Sequence, residues 1–148
     1  MTRLHQLLSE DHRHCDDLFA TAEQAASQAD WPSAQAAFAC FVQAMTAHFL
    51  AEESQLFPAF EGATGMTGGP TAVMRHEHAQ MRELLAAAQA ALAAGQGDDF
   101  FAVVDTLLIM MQQHNMKEEN VLYPMCDQHL AAQIDPLISA LQQSLARL

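Results

Sequence analysis

Two stretches of the chain repeat each other. His48-Phe49-Leu50-Ala51-Glu52-Glu53-Ser54-Gln55-Leu56-Phe57-Pro58 and His114-Asn115-Met116-Lys117-Glu118-Glu119-Asn120-Val121-Leu122-Tyr123-Pro124 both read H-x-x-x-E-E-x-x-L-[FY]-P, and they lie 66 residues apart. The same offset links His12 to His78. The chain therefore reads as two copies of one unit, each giving a histidine and then a His-x-x-x-Glu. The expected halves are about 4–61 and 70–130, followed by an extra helix at about 136–147, within one domain of 148 residues.

The repeats fall on helical patterns. Alanine, leucine, glutamine and methionine dominate, while β-branched residues are scarce, so an all-α fold is expected. Apolar positions recur at helical spacing through Leu4, Leu8, His12, Cys15 and Phe19. A second helix, capped by Asp30 or Ser33, carries Phe38, Phe41, Met45, His48, Glu52 and Leu56, and Pro58 is expected to bend or end it. A glycine-rich stretch at 62–71 divides the halves. A third helix runs from about Thr71 to Ala93, and a fourth, capped by Asp98 or Asp99, carries His114 and Glu118. Asp135-Pro136 reads as a cap and first helical residue of a short last helix. Four helices of about 22 to 30 residues with short loops form an up-down-up-down four-helix bundle. The short additional C-terminal helix either packs on the outside or end of that bundle or mediates a homodimer.

Residues i and i+4 of a helix share a face, about 6 Å apart along the axis. His48 and Glu52 therefore point one way from the second helix, and His114 and Glu118 from the fourth. His12 and His78 add one nitrogen each from the first and third. All six lie in apolar stripes, where ionised carboxylates are rare unless paired or metal-bound. Four imidazoles and two carboxylates suit two ions of iron, manganese or zinc; no thiolate joins them to favour copper(I) or a cluster. A lone histidine on such a stripe usually just packs, and a lone H-x-x-x-E pair usually makes a local hydrogen bond. Six residues in one register outweigh that reading.

Other residues are read more plainly. Glu53 and Glu119 fall about 100° round the helix from Glu52 and Glu118. They are expected to be solvated first, or else to orient a ligand histidine. His5, His14, His76 and His129 are expected on the surface, and Met74, Met81, Met110, Met111 and Met125 in core packing. His76-Glu77-His78 is not H-E-x-x-H, and the order His-before-Glu with a gap of four is not the E-x-x-H of ferritin-like sites.

A net charge of −12 argues against nucleic acid or an anionic membrane surface as partner. Cys15, Cys40 and Cys126 are odd in number without C-x-x-C spacing, which fits a reducing cytoplasm. Met1 leads straight into an amphipathic pattern rather than a basic segment and apolar core, so no secretory signal is expected. No uninterrupted apolar run approaches the ~18 residues of a membrane span.

At Asp11-His12, His48…Glu52, Glu77-His78 with Met81-Arg82-Glu83-Leu84-Leu85, and His114…Glu118, the sequence resembles the hemerythrin-like (HHE cation-binding) family over about residues 4 to 130. The resemblance implies a four-helix bundle around a non-haem di-iron centre. His12, His48, His78 and His114 would then be terminal ligands, Glu52 and Glu118 would bridge two iron ions, and an oxo or hydroxo group would complete the bridge. The oxygen carriers of the family have a further histidine where this chain has Met74, and end their last motif in an aspartate five residues after its histidine, where this chain has Glu118 at four. The four-His, two-Glu set is more similar to bacterial di-iron proteins of nitric-oxide stress and iron–sulfur repair, which carry a further N-terminal segment.

The function expected first is a binding module that takes O2 or nitric oxide for sensing, storage or stress response. A di-iron oxidase, peroxidase or nitric-oxide-reducing enzyme, an iron donor for cluster repair, and a bundle with structural zinc are the alternatives. The sequence names no catalytic residue and no redox partner.

Overall fold

The computed structural model describes residues 3–146. Helix α1 spans Arg3–Ser27, α2 Trp31–Ala51, α3 Phe57–Thr64, α4 Pro70–Ala93, α5 Gly97–Lys117, α6 Tyr123–His129 and α7 Ile134–Leu145. The π-helical turn Glu52–Leu56 joins α2 to α3, and a second, Glu118–Leu122, joins α5 to α6. The result is a bundle of four long rods: α1, α2 with α3, α4, and α5 with α6. Short links make α1 and α2, and likewise α4 and α5, packed neighbours, and α2 packs on α4.

The prolines correct an expectation. Pro58 does not end its helix, and Pro124 behaves the same way. In each case a wide turn comes first: Phe57 N–H donates to the Glu52 carbonyl, and Tyr123 N–H to that of Glu118. Each proline then stands in the first turn of the segment that follows, where a missing N–H costs little. Wide turns of this kind sit at functional sites more often than elsewhere, and both begin at a glutamate of the repeat.

Three helix starts are set by different means. Asp30 does cap α2, accepting from Ser33 N–H at 3.3 Å. Asp98 and Asp99 do not cap α5; they lie inside its first turn, where their charge complements the helix dipole. Asp135 is likewise one residue inside α7, which begins at Ile134, and its Oδ1 accepts from Arg3 at 2.6 Å. Gly95 takes φ +70°, the left-handed conformation that lets the chain leave α4, with Gln96 N–H reaching back to the Ala91 carbonyl at 2.9 Å.

The core has two apolar parts. One gathers Cys15, Phe19, Phe38, Phe41, Phe49, Met81, Leu85, Phe100 and Met111. The other gathers Leu4, Leu8, Leu56, Phe57, Phe60, Met74, Leu122 and Tyr123, and α7 adds Leu137, Ile138, Leu141 and Leu145. Helix α7 thus lies against α1, α2 and the first wide turn, and completes the second part. Along the first and third rods the change from one part to the other falls on a histidine: His12 between Leu8 and Cys15, His78 between Met74 and Met81. A polar layer separates the two apolar parts.

The continuous helix Trp31–Thr64 is long and apolar enough to cross a membrane by length and composition. Phe38, Phe41, Met45 and Phe49 on that helix are packed in the bundle core, as in any helix buried among others.

Candidate metal centre

All six candidate ligands meet in the polar layer. His12 comes from α1, His48 from α2, His78 from α4 and His114 from α5; Glu52 and Glu118 open the two wide turns. None is more than 5% exposed, and both glutamates are fully buried. Two groups of atoms are close enough to share an ion: Glu52, His78, His114 and Glu118; and His12, His48 and Glu118. Glu118 belongs to both.

Each imidazole is held by its outer nitrogen. Nδ1 of His12 donates to Glu119 Oε2 at 2.7 Å, that of His48 to Asp11 Oδ2 at 2.7 Å, that of His78 to Glu53 Oε2 at 2.8 Å, and that of His114 to Glu77 Oε1 at 2.9 Å. Glu53 and Glu119, though partly exposed, are therefore not free in solvent; they orient histidines. The four acids obey the same 66-residue offset, Asp11 with Glu77 and Glu53 with Glu119. Glu53 is itself gripped by Arg82, whose two terminal nitrogens each donate to a different carboxylate oxygen at 2.8 Å. Lys117 binds the second oxygen of Glu77.

Anchoring Nδ1 turns every Nε2 inward. His12 Nε2 lies 3.0 Å from Glu118 Oε1, His114 Nε2 3.3 Å from the same oxygen, and His78 and His48 Nε2 lie 3.2 and 3.4 Å from Glu52 Oε1. Donors that share one ion at about 2.1 Å stand roughly 3–3.4 Å apart. Nε2 of His48, His78 and His114, Glu52 Oε1 and Glu118 Oε2 are buried without a hydrogen-bond partner. Leaving so many buried polar atoms unmatched costs several kcal/mol within an apolar core. Ions in their midst would offset that cost. The donor set, neutral imidazole nitrogen with carboxylate oxygen, is chemically suited to such ions.

The charges of the metal-free site interlock. Burial opposes a charge on His48, but Glu52, Asp11 and Glu118 outweigh it and hold its pKa well above the ordinary imidazole value. Burial likewise opposes a charge on His114, and Glu118, Glu52 and Glu77 lift its pKa to about 9. His12 is raised against the same burial by Glu118 and Glu119. Burial works to raise the Glu52 pKa, yet His48 and the hydrogen bonds around the carboxylate hold it well below the usual range. The histidines occupy places that cations would take.

The hemerythrin HHE cation-binding domain pattern matches residues 3–126. This chain belongs to that family. No curated protein matches it, and no solved structure does. As a hemerythrin-family domain it is a cation-binding protein by class, and its buried His/Glu cluster could hold a metal ion.

Several residues that shape the hemerythrin-family site escaped sequence reasoning. Asp11 and Glu77 were visible only as neighbours of His12 and His78; their matching acidity across the repeat was the available signal. Tyr123 was visible only as one letter of the repeat, yet its hydroxyl donates to Glu52 Oε2 at 2.8 Å. His5, expected on the surface, is half-buried, bonds the Glu119 carbonyl at 2.7 Å through Nε2 and sets its ring edge against Tyr123. His14, His76 and His129 are exposed, as expected. Met74, Met81 and Met111 are buried core residues, and Met110 and Met125 pack partly buried against the core.

Proposed function

We propose that the centre holds two iron ions and that the protein binds O2 or nitric oxide there, for sensing, storage or stress response. The observation that carries this reading is the inward set of buried donors without partners: three imidazole Nε2 atoms and one oxygen of each buried glutamate. Bound iron would supply a coordination position for a diatomic ligand. The chain itself supplies the rest. Asp11, Glu53, Glu77 and Glu119 fix the tautomer and direction of each histidine and raise its donor strength. Apolar side chains above and below the layer keep water out. Glu118, common to both groups, would link the two ions, and Glu52 would stand with His78 and His114 at one of them. A cytoplasmic setting is part of the proposal, supported by the lack of any disulfide among the described residues.

The test is an oxygen cycle. Purified protein is loaded with iron(II) without air, its iron per chain is counted, O2 is admitted, and the visible spectrum is followed as the O2 is removed. Two irons per chain with bands that appear with O2 and fade without it would support reversible binding. Bands that stay, with steady consumption of a reductant, would replace it by redox catalysis. Failure to retain iron would overturn the reading.

A further inference from the structure

The two candidate ion positions are unequal in protein donors. His78, His114, Glu52 and Glu118 make four at one, whereas His12, His48 and Glu118 make three at the other. The residues that stack on the outer histidines are unequal in the matching sense. Phe57 lies along the His78 ring, with centroids 5.5 Å apart and planes 29° off parallel. Tyr123, 66 residues later, lies along the His12 ring at 5.8 Å and 22°. The repeat thus places the same kind of ring at the same place twice. Only the position with three donors receives the ring that carries an oxygen.

That oxygen points into the centre. Tyr123 is fully buried. Its hydroxyl lies 2.8 Å from Glu52 Oε2, 3.1 Å from Glu118 Oε1 and 3.3 Å from His12 Nε2, and every one of these atoms belongs to a candidate ligand. The last two distances match the 3.0 to 3.4 Å that separates the neighbouring His and Glu donors of the site. An oxygen spaced like a ligand, beside the group that lacks one, can do more than brace a carboxylate.

We infer that Tyr123 is a further metal ligand, its phenolic oxygen coordinating the ion held by His12, His48 and Glu118. This rests on the reading of the site as an iron centre. On coordination the O–H bond is replaced by an O–metal bond and the proton leaves to water. No change in oxidation state is needed. The consequence is a built-in difference between the two irons: one has nitrogen and carboxylate donors alone, the other a phenolate as well.

The experiment uses the full chain, loaded with iron(II) without air, oxidised to iron(III) with ferricyanide and freed of excess reagent. Iron per chain, visible absorption and resonance Raman spectra are recorded for wild type and Tyr123→Phe. A phenolate-to-iron(III) charge-transfer band with enhanced phenolate ring modes is expected in wild type. Both should vanish in Tyr123→Phe while that variant still holds iron. Iron-loaded wild type without phenolate modes would overturn the inference, and so would modes that survive in Tyr123→Phe. Should the variant not fold, the wild-type Raman spectrum decides alone. Wild type that retains no iron would instead remove the iron reading beneath it.

Discussion

At one end of the centre, His78 stacks on Phe49 with ring centroids 4.2 Å apart and on Phe57 at 5.5 Å. Its carboxylate partner Glu53 is locked by a two-pronged Arg82, whose guanidinium also sits 5.2 Å from the centre of the Phe49 ring. At the other end, His12 has Tyr123 in place of Phe57. The positions 66 residues from Phe49 and Arg82 are Asn115 and Asp16. His12, Asp16, Asn115 and Glu119 line a surface cleft together with Arg13, Gln112, Met116 and Asn120. Two halves with the same backbone plan have therefore been finished as a sealed end and an open one. Where the repeat keeps its residues it makes a symmetric donor set; where it changes them it decides from which side something small can arrive.

The largest effects should ignore that difference. Glu52→Ala and Glu118→Ala each remove a fully buried carboxylate shared by the centre, and each should lose most of the bound iron, read as metal per chain after gel filtration. Glu53→Ala and Glu119→Ala should keep far more. Equal losses in all four would sink the division between inward donors and the acids behind them.

The acids behind the histidines should show the asymmetry. Glu53→Gln and Glu119→Gln keep the shape of the side chain but weaken the acceptor for His78 and His12, for an expected 10–100-fold fall in metal affinity. Glu53→Gln also strands Arg82 beside the Phe49 ring, so it should lower the melting temperature more than Glu119→Gln does. Competition with a calibrated chelator and a thermal scan on each variant provide the comparison. Matching losses in both readouts would mean that the sealed end is no better built than the open one.

Protons and metal should pull in opposite directions. In metal-free protein, the raised pKa values of His12, His48 and His114 stabilise the fold fully below 6.5 and cease to do so as pH rises, through about 9 for His114. The lowered values of Glu52, Glu53, Glu77 and Glu119 stabilise it fully above 4.5 and fail as pH falls further. Metal-free protein should thus be most stable between about 4.5 and 6.5. Metal needs the Nε2 lone pairs that protons occupy, so its stabilisation should grow as pH rises. The gap in melting temperature between iron-loaded and metal-free protein should widen from pH 6.5 to 9; a constant or shrinking gap would contradict the interlocked charges.

Much of this was legible in the sequence because a repeat is a measurement made twice. The offset found the six inward residues, since a helix turns i and i+4 to the same side whatever surrounds it. It did not reveal that Pro58 and Pro124 are absorbed, because a widened turn depends on how the backbone ladder is spaced. Nor did spacing show that Glu53 and Glu119 face histidines. Both lie about 100° from the inward glutamates, an angle that looks like solvent on one helix and meets the neighbouring helix in a bundle. Glu53 meets His78 of α4, and Glu119 meets His12 of α1. Residues that act across helices are seen only once the helices are packed. Tyr123 escaped for the opposite reason: the pattern treats Phe and Tyr as one letter, and the chemistry lies in the atom by which they differ.

The smallest effect sharpens the contrast most directly. Asn115→Phe places at the open end the residue type that Phe49 provides at the sealed one. Asn115 is half-buried at the cleft and adjoins His114 without being one of the inward donors, so iron content should stay unchanged. What should change is the rate at which a small probe reaches the iron. With azide added to the iron(III)-loaded protein and followed by stopped-flow absorbance, a several-fold slower association is expected. The mirror variant Phe49→Asn should speed association only if the sealed end is closed by that ring rather than by the helices around it. An unchanged azide rate in Asn115→Phe would mean that the cleft beside His12 is not the way in, and that the two ends differ in their ligands alone.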